Sequence, residues 1–223
     1  MKRTKLKERL LPNYTKGEEI TNMVTHIVGG AFGVAYLVLC VVFSAIHHNP
    51  WGVVSSAIYG ASVLSLFTLS SVYHGLVPST AKKVLQVLDH CTIYFMIAGT
   101  YTPITLCSLR PDHPALGWTL FGLVWGVCAL AVTLTAIDLK KYSKFSMICY
   151  IAMGWCVVIG AKPTVIALTA PGTAFILIGD ILYTIGAILY GIGKKKKYVH
   201  SVFHVFVVVA SLMHFFCIFF YVI

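Results

Sequence analysis

Charge is what this chain has least of. Only 11% of its 223 residues are charged, against 58% hydrophobic, and the mean hydropathy is +0.86. A soluble domain of this length needs a polar shell that such a composition cannot supply, so that class is excluded. Paired cysteines are missing too. The chain has seven Cys, an odd number, and none forms a CxxC pair. That excludes a disulfide framework and reads as small buried residues within apolar spans. No apolar stretch carries a regular polar stripe, which leaves little support for a pore. A cleaved secretory signal is not expected, because the first apolar stretch is too long and its removal would take helix from the bundle.

What is there is a succession of apolar stretches of bilayer length, about 20 residues each. They predict an all-α integral membrane protein, a bundle of seven transmembrane helices in one domain over 1–223. The spans fall at 22–46, 51–77, 84–108, 115–137, 145–161, 174–193 and 198–222. Breakers separate them: His48-Asn49-Pro50, Pro78-Ser79-Thr80, Arg110 to Pro114, Pro171-Gly172-Thr173 and Gly193. Lys162 and Pro163 are expected to end the fifth span, with 164–170 a short external helix or loop. Thr15-Lys16-Gly17-Glu18 fits a capping box opening the first helix, and residues 1–15 read as a basic cytoplasmic surface segment broken by Pro12.

The net charge of +10 would suit a nucleic-acid partner, but its distribution points elsewhere. Lys2, Arg3, Lys5, Lys7, Arg9, Lys16, Lys82, Lys83, Lys140, Lys141, Lys144 and Lys194 to Lys197 all fall on one side of the bundle. Arg110 and Lys162 alone fall on the other, so the ratio is fifteen to two. The positive-inside rule then sets the N-terminus in the cytoplasm and the C-terminus outside. The lysine run Lys194–Lys197 reads as an anchor beside anionic lipid. The partner is the lipid bilayer of the cell (plasma) membrane, with no nucleic acid.

Against this background the ionisable groups inside spans stand out, since such groups are expensive in lipid and usually functional. His74 ends the run Ser70-Ser71-Val72-Tyr73-His74, Asp89 sits early in the third span, and His200 and His204 open the last. At about 1.5 Å per residue all four lie within about 5–10 Å of the cytoplasmic interface. His200 and His204, at i and i+4, share a helix face; so do Ser70 and His74. Three neutral imidazoles can hold Zn2+ and leave a fourth position for water, whose pKa such sites lower to about 7. Asp89 could then take the proton or orient a ligand histidine. A lone histidine in such a helix ordinarily makes an interhelical hydrogen bond; the shared level of these groups favours a metal site.

The other polar residues read differently. His214 lies about 15 Å deeper than His204 and is expected to bond to a neighbouring helix. His90 points about 100° away from Asp89, given 3.6 residues per turn, and His47, His48 and His113 read as surface residues. Glu19, Asn22 and His26 share one face of the first helix at its cytoplasmic end, where they either line the site entrance or hold the bundle together by hydrogen bonding, the latter slightly favoured. Asp180 reads as a paired buried acid near Tyr183 and Thr184, Pro103 as a kink, and Gly122 and Gly126 as a GxxxG packing face.

Glu19-Ile20-Thr21-Asn22 with His26, the Ser70–His74 run, Leu88-Asp89-His90, the Ala98 to Pro103 segment and His200–His204 together resemble the bacterial hemolysin III family. That family is related to the progestin and adiponectin receptors and to the alkaline ceramidases. The resemblance runs from Glu19 to the C-terminus. It implies seven helices and a zinc near the cytoplasmic face, with His74, His200 and His204 as metal ligands and Ser70 and Asp89 beside them as catalytic groups. It also implies three readings: a zinc-dependent hydrolase of a membrane lipid amide or ester, a pore-forming cytolytic protein, or a membrane-homeostasis sensor with structural zinc.

Overall fold

A computed structural model describes residues 4–193 and 196–223. Seven α-helices occur among the described residues: α1 Lys16–Ile46, α2 Pro50–Gly75, α3 Thr80–Pro103, α4 Pro114–Ile137, α5 Ser143–Gly154, α6 Ala161–Gly193 and α7 Val199–Tyr221. Their starts follow local chemistry. Thr15 and Glu18 exchange hydrogen bonds in the expected capping box. Asn49 Oδ1 accepts from the Gly52 amide at 2.8 Å, and Ser79 Oγ accepts from the Lys82 amide. Pro50 and Pro114 occupy first-turn positions, where a missing N–H costs nothing. Pro103 does not end its helix. The chain continues as a π-helical turn, Ile104–Leu109, in which Thr105 Oγ1 donates to the Tyr101 carbonyl. A wider turn with a side-chain donor accommodates the imino nitrogen.

Among the described residues six helical runs are long and apolar enough to cross a membrane. The sequence predicts seven because it ends a span at Lys162-Pro163. Instead α5 passes through a 3₁₀ turn, Trp155–Gly160, directly into α6, giving one run over Ser143–Gly193. Pro163 falls in the first turn of α6, where it is tolerated. The interruption comes later, at Thr169, whose φ of 60° and ψ of 172° leave the helical region. Trp155 Nε1 donates to Thr184 Oγ1 at 3.1 Å across this point. A straight helix would hold residues 29 apart in sequence about 43 Å from each other, so the run doubles back.

The helices close into a ring, α1 packing on both α2 and α7. Close approach of α1 and α2 depends on Gly33 and Gly60, where an added methyl would meet the backbone of Leu64 and Leu37. The buried centre is aromatic, with Tyr36 stacked on Phe215 at 4.3 Å. Gly122 and Gly126 make no close approach to another helix among the described residues: beyond their own helix, nothing described lies within 4 Å of a methyl added at either.

The connections sort to two ends. At one, the Tyr198 amide donates to Glu18, Lys82 pairs with Glu19, and the Thr4 amide donates to Asp138. At the other, Arg110 covers the Trp51 ring at 3.9 Å, and Gly172 packs on Tyr221. Lys2, Arg3, Lys194 and Lys195, part of the expected basic set, lie outside the described residues. Lys82 belongs to that set but is only 3% exposed, donating to Glu19 Oε1 at 2.6 Å and to the Leu76 carbonyl.

Candidate metal centre

Helices α2 and α7 bring His74, His200 and His204 together. One ring nitrogen from each lies within 4.8 Å of the other two, and all three residues are buried. The i, i+4 spacing on α7 places His200 Nε2 and His204 Nε2 3.1 Å apart. Two nitrogens sharing a tetrahedral zinc at about 2.0–2.1 Å would be separated by roughly 3.3–3.4 Å.

His74 is oriented from behind. Its Nδ1 donates to Glu19 Oε2 at 2.6 Å, with Asn22 Nδ2 3.4 Å from the same nitrogen. With the proton on Nδ1, the Nε2 lone pair is free, and Nε2 is buried without a partner. A buried acceptor left unmade is costly, and a carboxylate behind a histidine is the arrangement that orients metal ligands. The donor set therefore suits a borderline cation such as zinc. Glu19 is itself held by Lys82, so an ion pair between α1 and the first turn of α3 supports the group that orients His74.

Glu19, Asn22 and His26 were expected to line the site entrance or to hold the bundle by hydrogen bonds; the structure divides them. Glu19 and Asn22 meet His74, whereas both His26 nitrogens are buried without partners. The His26 ring instead packs on His204, with centroids 3.9 Å apart, and edge-on to Phe67. Asp89 and Ser70 lie on the wall of the cavity that His200 and His204 also line. They are not among the converging atoms. The nearest ionic neighbour of Asp89 is His90, at 3.9 Å. His90 is engaged elsewhere, through Gln86 O at 2.8 Å and Tyr190 Oη at 3.1 Å.

Tyr14 covers the cluster from outside, stacked on His200 with centroids 4.9 Å apart and 16° between planes. Burial pushes its phenol above the usual range, so it is a neutral donor. This residue lay in the segment expected to be surface; an aromatic immediately before a capping box was the only signal. The deeper pair behaves as its depth requires. His214 Nε2 lies 3.3 Å from Asp180 Oδ1 and 3.3 Å from the Ile176 carbonyl, away from the three histidines.

The profile of the haemolysin-III-related family matches residues 14–215, a stretch that holds every residue of this cluster. The chain belongs to the haemolysin III family. It is 36% identical to Hemolysin-3 of Bacillus cereus over 205 residues, 92% of each chain. It is also 36% identical to the Hemolysin-3 homolog of Bacillus subtilis over 208 residues, 93% of this chain and 96% of that one. The human monocyte to macrophage differentiation factor is similar at 25% identity over 217 residues, 90% of this chain and 83% of that protein. Six membrane-length helices in a haemolysin III family chain make this a multi-pass membrane protein.

Proposed function

We propose that this protein is a zinc-dependent hydrolase of a membrane lipid amide or ester, acting at the cytoplasmic face of the cell membrane. The observation that carries the proposal is the convergence of three buried imidazole nitrogens on one point, one of them held by Glu19 with its second nitrogen free. His74, His200 and His204 would hold the ion. Bound zinc would supply an acidified water and polarise a carbonyl. Asp89 would take the water's proton, and the Ser70 hydroxyl would donate to the oxygen that gains charge. Both line a cavity of about 870 Å³ whose walls include Leu66, Ile93, Ile97, Phe203 and Val207. That lining suits an acyl chain and keeps bulk water from the reacting groups.

In this reading the chain crosses the membrane seven times. The Ser143–Gly193 run supplies two crossings, because 51 residues greatly exceed the about 20 that one crossing needs and the run doubles back at Thr169. The end that gathers the basic connections faces the cytoplasm, which leaves the C-terminus outside.

Metal analysis of the purified protein tests the site: about one zinc per chain in wild type, and close to none in His204→Ala. The hydrolase is tested by lipid profiling of cells carrying His74→Ala. Wild-type protein with full zinc, and no lipid class that changes in the variant, would overturn catalysis and leave the metal structural. Dye release from loaded liposomes at high protein density, independent of the histidines, would instead favour a pore.

A further inference from the structure

The N-terminal segment is not a simple surface tail. The Thr4 amide donates to Asp138 Oδ2 at 2.7 Å, tying the segment to the end of α4. This bond and those from the Lys140 and Lys141 amides hold the Asp138 carboxyl below the usual range. A 3₁₀ turn, Leu6–Glu8, follows, and Tyr14 ends the segment on His200. Residues 8–14 all border the large cavity, so the segment is a strap across its mouth.

The strap carries an anomaly. Arg9 is only 8% exposed, and its Nε and Nη1 are fully sequestered with no hydrogen-bond partner. A buried guanidinium without a counter-charge is strongly unfavourable. The cavity wall also holds Lys140, Lys144, Lys196 and Lys197. The carboxylates there are largely committed. Glu18 accepts from Thr15 and Tyr198, and Glu8 accepts from the Lys5 amide. Asp89 remains, beside His90. No carboxylate pairs with Arg9 among the described residues, so two of its guanidinium nitrogens keep unmet donors. A buried guanidinium with unmet donors suits the phosphate of a lipid headgroup.

We propose that Arg9, with the lysines of the same cavity wall, is a binding site for a phosphate group at the mouth of the histidine cavity. The group is carried by a lipid whose chain enters the cavity, or is free phosphate. The proposal names the headgroup chemistry of the lipid in the preceding reading and rests on that reading for the cavity's occupant. It needs neither zinc nor turnover.

The test uses the full-length protein in phosphatidylcholine nanodiscs, titrated by calorimetry with dioctanoyl phosphatidate, dioctanoylglycerol and inorganic phosphate. Wild type should bind the phosphatidate about tenfold or more tighter than the neutral diacylglycerol, as charge-assisted bonds to a buried fork imply. Arg9→Met keeps the apolar stem and should abolish that preference, whereas Arg9→Lys should retain part of it. His204→Ala should keep the preference even with its metal gone, so failure of the hydrolase reading stays distinguishable. Inorganic phosphate competing as well as the phosphatidate would assign the site to the free ion. Failure to compete at a hundredfold excess would assign it to the lipid. Equal preference in wild type and Arg9→Met would overturn the proposal. So would a loss of thermal stability in that variant with selectivity intact, which would make Arg9 a structural pin.

Discussion

Helix α7 carries two buried polar clusters, about 15 Å apart by helical rise, and they are built in opposite ways. His200 and His204 point their Nε2 atoms at each other and share their space with His74, whose free nitrogen faces the same point. His214 is paired inward, with Asp180 and the Ile176 carbonyl on α6. The first cluster is a set of converging ring nitrogens, with a carboxylate behind one of them. The second is a donor matched to its acceptors, with only Asp180 Oδ2 left over. Burial is common to both, so burial of a histidine in a membrane helix does not by itself signal a ligand. What separates them is whether the lone pairs converge or are consumed.

Three substitutions would break or sharpen this contrast. Glu19→Gln removes the carboxylate that holds His74 and should weaken zinc affinity by about 10–100-fold, the usual effect of losing an orienting partner. Competition with a chelator measures it, and unchanged affinity would mean that the ion pair with Lys82 serves only the fold. Gly179→Ala attacks the other cluster, since its methyl would run into the His214 ring. It should destabilise by about 1–3 kcal/mol through overpacking and leave zinc content at the wild-type level. Zinc loss in Gly179→Ala would show that the two clusters are coupled after all. Gly122→Ala is the control, with nothing among the described residues beyond its own helix within 4 Å of the added methyl. Its stability should stay within about 0.5 kcal/mol of wild type; a larger change in unfolding by denaturant would reveal a neighbour that packs on α4.

Much of the site was legible in the one-dimensional pattern. His74, His200 and His204 were marked by their common level and by i, i+4 spacing, and the structure brings their nitrogens together. His214 and His90 were set aside on depth and direction, and both are engaged elsewhere. Asp89 and Ser70 were expected beside the metal, but they line the shared cavity without joining the converging atoms. The orienting carboxylate proved to be Glu19, from a helix distant in sequence. Helical rise gives depth, but the rotation of one helix against another selects between two carboxylates at similar depth, and only packing sets that rotation.

The same division holds for the whole molecule. Apolar length, the caps at Thr15, Asn49 and Ser79, and the one-sided basic connections determined the class, most helix starts and the sorting of the ends. These are local or solvation-driven properties, and a chain carries them in its own periodicity and charge. Tertiary structure decided that α5 runs into α6 and reverses at Thr169, that Gly33 and Gly60 rather than Gly122 and Gly126 mediate close packing, and that residues 4–14 strap the cavity mouth with Arg9 inside. Each of these depends on which surfaces meet across large sequence separations. Contacts of that kind arise from shape and from the need to satisfy buried polar groups, and neither leaves a short-range signature.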